Sequence, residues 1–134
     1  MSNQHEMDYH LRNLSLLCFE YIENIQTVLS EYLRPAINKY ELDKDVISAY
    51  HATNKALSKI RHVNSKYLKE IRDNCTAHRN PDSILQLGII DKLDKERIFN
   101  ISMEISEFQK MLFNMWEITI NKKLQYNSDQ AYIT

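Results

Sequence analysis

Apolar residues recur along most of the chain at intervals of three and four, the spacing that places side chains on one face of an α-helix. Pro35 follows the first such stripe, and proline cannot donate a backbone hydrogen bond and disfavours helix at the residue before it. The pattern therefore predicts a long amphipathic helix over residues 5–33 that Pro35 ends or kinks, followed at 36–43 by a connection or a short turn of helix. The stripe consists of Leu11, Leu14, Cys18, Tyr21, Ile25, Val28 and Tyr32, widened by Leu17, Ile22 and Leu29.

A second stripe runs through residues 43–78, which contain neither glycine nor proline. Polar Thr53 and Asn64 interrupt it, so the pattern is compatible with one long helix or with two. The apolar positions are Val46, Tyr50, Leu57, Ile60, Tyr67, Ile71 and Cys75.

The clearest break in the chain comes at Pro81, after which residues 82–88 fit a short helix that ends near Gly88. Asp91 or Asp94 can cap the last long helix. Its stripe consists of Ile98, Ile101, Ile105, Phe108, Leu112 and Met115, with Phe113 and Trp116 beside it. The two aromatic residues fit either the core or a dimer interface, and the spacing favours the core.

These elements predict an all-α fold, because a chain of 134 residues with one glycine and two prolines has few turn signals and long uninterrupted segments. Each apolar stripe is wider than the two-position seam of a coiled coil, which favours an up-down helical bundle of four or five helices. The length fits one domain over residues 1–134, with residues 1–4 and 127–134 frayed.

Charge is distributed unevenly along the chain. The net charge is −1, which argues against a strongly basic nucleic-acid or membrane binder at the level of bulk charge. Residues 55–79 nevertheless carry seven Lys and Arg against Glu70 and Asp73, a balance of +5. This stretch is either a solvated helix face or a surface that binds phosphate groups.

Cysteine usage and hydropathy indicate the class of protein. Cys18 and Cys75 lie on apolar stripes and lack the spacing of a zinc site, so they fit buried thiols in a reducing compartment. The N-terminus lacks the apolar core of a signal peptide, and no run approaches the roughly 18 apolar residues of a membrane span. A cytoplasmic protein without a membrane segment, a metal or another cofactor is therefore expected.

The candidate chemistry lies in the stretch from Arg72 to Arg79, near the end of the second helical segment. An arginine holds phosphate oxygens through its planar guanidinium, and the imidazole of His78 has a pKa near neutrality, which suits proton transfer from an attacking hydroxyl. Together these groups are the minimum for cutting RNA without a metal. On an ideal helix Arg72 and His78 project about 120° apart, so a second chain or a break in the helix is needed to bring them together.

Arg72, Asp73 and His78 resemble the signature of the HEPN superfamily, in which Arg, a polar residue and then His occur near the end of a helix in a small helical domain. The resemblance implies a bundle of four or five helices, commonly a homodimer, with two such motifs meeting in a cleft. Many members are metal-independent endoribonucleases of toxin-antitoxin, abortive-infection or other phage-defence systems. The resemblance thus implies RNA as substrate and a cognate antitoxin or defence protein as partner.

Carried over by position, Arg72 and His78 become the catalytic pair, with Asp73 and Asn74 orienting them. His78 takes the proton of a ribose 2'-hydroxyl, and Arg72 stabilises the charge that develops on the phosphate, leaving 2',3'-cyclic phosphate ends. The nearby basic residues Lys66, Lys69 and Arg79 are expected to bind the RNA backbone.

Two alternatives remain open on the sequence alone. Arg72 can instead form a salt bridge with Asp73, Glu70 or a neighbouring helix, and His78 can be a partly buried histidine that shares a face with Ile71. The whole chain can also be a non-catalytic helical module that binds a protein partner or a nucleotide, with the aromatic flank of the last helix as its working surface.

Overall fold

The computed structural model of the chain describes residues 2–40, 43–73 and 93–133. The elements in these ranges are α1 (Ser2–Thr27), a π-helical segment (Val28–Leu33), α2 (Arg34–Tyr40), α3 (Lys44–Ile71) and α4 (Lys95–Ile133). No strand occurs within these ranges, which confirms the predicted all-α fold. The short helix predicted at 82–88 and the alternative cap Asp91 lie outside the described residues.

The first helical rod continues through Pro35 and does not end there. In the π-helical segment the backbone N–H of Arg34 donates to the carbonyl oxygen of Leu29, five residues back. Such a widened turn gives room for a proline ring, which clashes with the carbonyl four residues earlier in a regular α-helix. Of the two alternatives predicted for 36–43, the short helical turn is found at residues 36–40, which belong to α2.

Tyr50 of α3 ties this widened turn to the core. Its buried hydroxyl donates a hydrogen bond of 2.9 Å to the same carbonyl oxygen of Leu29. We expect Tyr50→Phe to lower the free energy of unfolding by about 1 kcal/mol, because the ring still fills its space while one net hydrogen bond is lost. Tyr32→Phe, at an exposed position, is the matched control. Equal urea midpoints for the two variants would contradict a stabilising role for this bond.

The part of the second stripe that the structure describes forms one uninterrupted helix, Lys44–Ile71, so the alternative of two helices is wrong for these residues. The polar residues that interrupt the stripe are buried with hydrogen bonds to their own helix. The Thr53 hydroxyl donates to the carbonyl of Ala49 at 2.7 Å, and the Asn64 amide donates to the carbonyl of Ile60 at 3.0 Å. Both are buried without losing their hydrogen bonds, so neither breaks the helix.

The three rods pack against one another in an up-down arrangement. Leu11 near the start of α1 shares a cluster with Ile71 at the end of α3 and Ile98 near the start of α4. At the opposite end of the bundle, Lys122 of α4 forms ion pairs with Asp43 and Asp45 at the start of α3. Neighbouring rods in sequence therefore run antiparallel. Within the described ranges there are three long rods, and the predicted four or five helices are not found there.

The first turn of α4 is capped by Asp94, one of the two predicted candidates. The Asp94 carboxylate accepts a hydrogen bond of 3.1 Å from the backbone N–H of Arg97, and the Tyr67 hydroxyl of α3 accepts one of 3.0 Å from the backbone N–H of Asp94. The guanidinium of Arg97 lies over the Tyr67 ring at 3.9 Å. These contacts fix where α4 begins relative to α3.

The core follows the predicted stripes, with exceptions on the first rod. Leu17 of α1 was expected on the buried face and is exposed, as are Val28 and Tyr32 of the π-helical segment, since the buried face of this rod is centred on the row that contains Leu11 and Ile22. On α4 the prediction that Phe113 and Trp116 belong to the core is wrong, because both are exposed. The buried residues that share the main cluster include Cys18, Ile22, Leu29, Tyr50, Leu57, Ile60, Leu68, Ile101, Phe108 and Met115.

The helical backbone of α4 extends to Ile133, and the side chains of residues 123–132 are exposed. Helical geometry and fraying are separate properties, so the predicted fraying of residues 1–4 and 127–134 stays a prediction. An exposed helical end gains little stability from the tertiary fold.

Candidate functional site

Arg72 lies at the end of α3, where its guanidinium faces α1. Its Nε is 3.3 Å from a carboxylate oxygen of Glu20, and one terminal nitrogen is 3.6 Å from a carboxylate oxygen of Asp73. The guanidinium carbon also lies 5.1 Å from the centre of the Phe19 ring. The structure therefore realises two of the salt bridges that the sequence left open, one to Asp73 and one to a neighbouring helix. The ion pair and the ring contact hold the end of α3 against α1.

These salt bridges are partly exposed to solvent. The side chains of Arg72 and Glu20 are 34% and 47% exposed, and that of Asp73 is 35% exposed. Ion pairs at this exposure contribute little to stability, typically below about 1 kcal/mol, because water competes for both charges. A phosphate can exchange for a carboxylate at such a site without a large loss of folding free energy.

Of the other predicted catalytic residues, the structure describes Asp73. His78 and Asn74, and the predicted RNA-binding residue Arg79, lie outside the described residues, so their position relative to Arg72 stays a prediction. Asp73 contacts Arg72 directly, which places an acceptor for the guanidinium where the orienting residue was expected. Arg72 and Asp73 continue the backbone of α3 as a π-helical turn, a local widening of the helix directly before the rest of the motif.

Lys66 and Lys69, predicted to bind RNA, are exposed on α3 within two turns of Arg72. Neither forms a salt bridge with any residue in the described ranges. By contrast, Arg61 on the same helix is bound to Glu23 of α1 by two hydrogen bonds of 3.1 and 3.3 Å, and that partner raises the pKa of its guanidinium. The two lysines thus present charge to solvent, while Arg61 serves to join helices.

Sequence reasoning missed the residues of α1 that hold Arg72. Glu20 is 52 positions away in the chain, and no short spacing links it to the motif. Phe19 was not among the predicted apolar positions, although it lies next to Cys18 of the first stripe. Neither contact has a local sequence signal, because both depend on how α1 and α3 pack.

Two open grooves lie between α3 and α4, and neither is lined by Arg72. One is bordered by Asp45, Ser48, Ile118 and Lys122, and the other by Asn64 and Glu104 with residues at the start of α4. In the second groove the Asn64 amide donates to a Glu104 carboxylate oxygen at 3.4 Å. The candidate site at Arg72 is therefore a surface where the end of α3 meets α1 at Phe19 and Glu20, and it is not part of either groove.

Further side chains bear on the expected chemistry. Cys18 is buried, as predicted, and burial raises the pKa of its thiol, which keeps it protonated and unreactive. Cys75 lies outside the described residues. In the described ranges, no group of three or more His, Cys, Asp or Glu side chains is arranged to hold a metal ion. None of the described helices has the length and apolar character needed to cross a bilayer.

The second half of α4 carries a line of exposed apolar side chains, which we call the apolar row. Phe113 is 61% exposed and Trp116 44% exposed, and Ile120 and Leu124 continue the row at intervals of four. Intervals of three and four place these residues on one side of the helix. The row is separate from the Arg72 surface, since it lies in the half of α4 that packs beside the start of α3.

The chain matches no protein-family model, and no match was found among the curated proteins or the solved structures.

Proposed function

We propose that the chain is a HEPN-like, metal-independent endoribonuclease that acts in phage defence or a toxin-antitoxin system. The observation that carries the proposal is the position of Arg72: a partly exposed guanidinium at the end of a lysine-rich helix, directly before the segment that contains His78. Such a group can exchange its carboxylate partners for an RNA phosphate. The all-helical fold and the motif spacing support the same assignment.

In the proposed reaction, the His78 imidazole removes the proton of a ribose 2'-hydroxyl, and the 2'-oxygen attacks the adjacent phosphorus. The bond from phosphorus to the 5'-oxygen breaks, and the leaving oxygen takes up a proton. Arg72 stabilises the negative charge on the non-bridging oxygens as it develops. Products end in 2',3'-cyclic phosphate and 5'-hydroxyl, and no electron donor or acceptor is consumed.

The proposal includes a HEPN-like bundle of four or five helices and a homodimer. On one ideal helix Arg72 and His78 point in different directions. In a dimer, Arg72 of one protomer can lie close to His78 of its partner across a shared cleft. A cognate antitoxin or defence protein and a cytoplasmic location belong to the same proposal.

The test is incubation of the purified chain with end-labelled structured RNA in excess EDTA, with the product ends mapped. We expect the wild type to produce 2',3'-cyclic phosphate ends and His78→Ala to lose at least 100-fold in rate, the lower range for a general base. Circular dichroism of both proteins checks that helicity is equal. Equal cleavage by the two proteins would point to a contaminating nuclease and would overturn the assignment of His78.

A second candidate is a non-catalytic interaction module, and the exposed apolar row favours it. Aromatic residues such as Phe113 and Trp116 are enriched at the centres of protein interfaces. The chain would then bind another protein through α4 without chemistry at Arg72. Absence of cleavage on varied RNAs, together with self-association or partner binding that Trp116→Ala removes, would favour this candidate.

A further inference from the structure

The solvent side of α3 carries a straight row of basic side chains, which we call the basic ridge. It consists of Lys55, Lys59, His62, Lys66 and Lys69, all exposed and separated by intervals of four, three, four and three. This spacing keeps them on one side of the helix, nearly opposite the buried face of α3, over about 21 Å at 1.5 Å per residue. The basic residues thus recur with the period of the helix and are not scattered over its surface.

Local acidic residues compensate the charge of the basic ridge only at its end, where Glu70 and Asp73 follow Lys66 and Lys69 by four positions. Residues 55–69 contain no Asp or Glu, and the one arginine among them, Arg61, is paired with Glu23 of α1. The four lysines of the basic ridge form no salt bridge with residues in the described ranges. A row of like charges on one helix is mutually repulsive, and an anionic partner relieves that repulsion.

We propose that the basic ridge binds the phosphate backbone of an RNA strand and leads it to Arg72. Lys69 lies three residues before Arg72, and Lys55 lies about 26 Å from it along the helix axis. The basic ridge therefore extends the binding surface well beyond Lys66 and Lys69, and an RNA strand bound to it would run along α3. The choice of RNA rests on the proposed function, while the match to a linear polyanion rests on the basic ridge itself.

The structure favours a nucleic acid over other anionic partners. A helix that lies on a membrane needs an apolar face free to insert, whereas the apolar face of α3 is buried in the bundle, and Val63 is the exposed large apolar residue that the described part of α3 carries. Protein interfaces are depleted in lysine. Because Phe, Tyr and Trp are absent from the basic ridge, binding is to phosphates rather than stacked bases, and it is therefore independent of sequence.

The experiment measures binding by fluorescence anisotropy with a fluorescein-labelled 2'-O-methyl RNA of 20 nucleotides, which cannot be cut through its 2'-oxygen. Four lysine contacts predict a slope of log K against log salt of about −2.8 for a single strand. Lys55→Gln with Lys59→Gln is expected to reduce the size of that slope by about 1.4. The matched control is Lys110→Gln with Lys123→Gln, which removes two exposed charges from α4.

An unchanged slope in the Lys55 and Lys59 variant, or an equal loss in the α4 control, would overturn the basic ridge as the binding surface. The nuclease proposal is tested separately, because this probe is not cleaved. Binding along the basic ridge without cleavage of ordinary RNA would contradict the nuclease alone. Cleavage of ordinary RNA at wild-type rate by the Lys55 and Lys59 variant, with an unchanged slope, would contradict the ridge alone.

Discussion

Replacing Arg72 by alanine is expected to reduce RNA cleavage in EDTA by about 10²- to 10³-fold, the range seen when one group that stabilises a developing oxyanion is removed. The free energy of unfolding should fall by about 1 kcal/mol or less, since the ion pairs of Arg72 with Glu20 and Asp73 are partly exposed. Single-turnover cleavage rates and urea unfolding of the same preparations measure both effects.

Glu20→Gln separates a catalytic Arg72 from a structural one. It removes the charged partner on α1 but keeps the guanidinium, so the chemical step should proceed at the wild-type rate or faster, because phosphate no longer competes with the Glu20 carboxylate. If Arg72 acts only by holding α3 to α1, both Arg72→Ala and Glu20→Gln should lower the cleavage rate, each in proportion to its loss of stability. That outcome would remove Arg72 from the catalytic pair.

Phe108→Ala is expected to lower the free energy of unfolding by about 3–5 kcal/mol, the largest stability effect that we expect in this chain. Phe108 is 2% exposed and belongs to the main core cluster. Its ring meets Tyr21 of α1 edge-on with 6.5 Å between centres, so the substitution leaves a cavity between α1 and α4.

Phe113→Ala is the matched control, with the same chemical change on the same helix at a position 61% exposed. In the monomer it should change the free energy of unfolding by less than about 0.5 kcal/mol. A large loss for Phe113→Ala that grows with protein concentration would show that the apolar row is covered by a partner copy. If Phe108→Ala and Phe113→Ala lowered the free energy of unfolding by similar amounts at low protein concentration, the placement of Phe113 on the surface would be contradicted.

Periodicity predicted the helices well, because burial on one face is a local property of the sequence. The stripe through Val46, Tyr50 and Leu57 became one buried helical face, and Asp94 capped the last helix. The first rod does not end at Pro35, because a π-helical turn makes room for the ring. Tyr50 of another helix adds a hydrogen bond to the Leu29 carbonyl oxygen in that turn, a contact for which the local sequence carries no signal.

The placement of Phe113 and Trp116 failed for a related reason. A three-helix contact buries only the side of α4 that contains Ile101 and Phe108, so residues beside that stripe stay exposed even though their spacing is helical. Similarly, the sequence predicted that Arg72 would be charged and near a helix end, but its actual partners on α1 depend on tertiary packing. The excess of basic residues over 55–79, in contrast, was visible in the sequence.

Cleavage of a matched pair of RNA oligonucleotides in excess EDTA tests the central claim most directly. One is all-ribose with a mapped cleavage position, and the other differs only by a 2'-deoxy nucleotide immediately 5' to that position. The proposed mechanism predicts cleavage of the first to a 2',3'-cyclic phosphate and none of the second, because the attacking oxygen is missing. Equal cleavage of the two, or no cleavage of the all-ribose RNA across varied sequences, would contradict it.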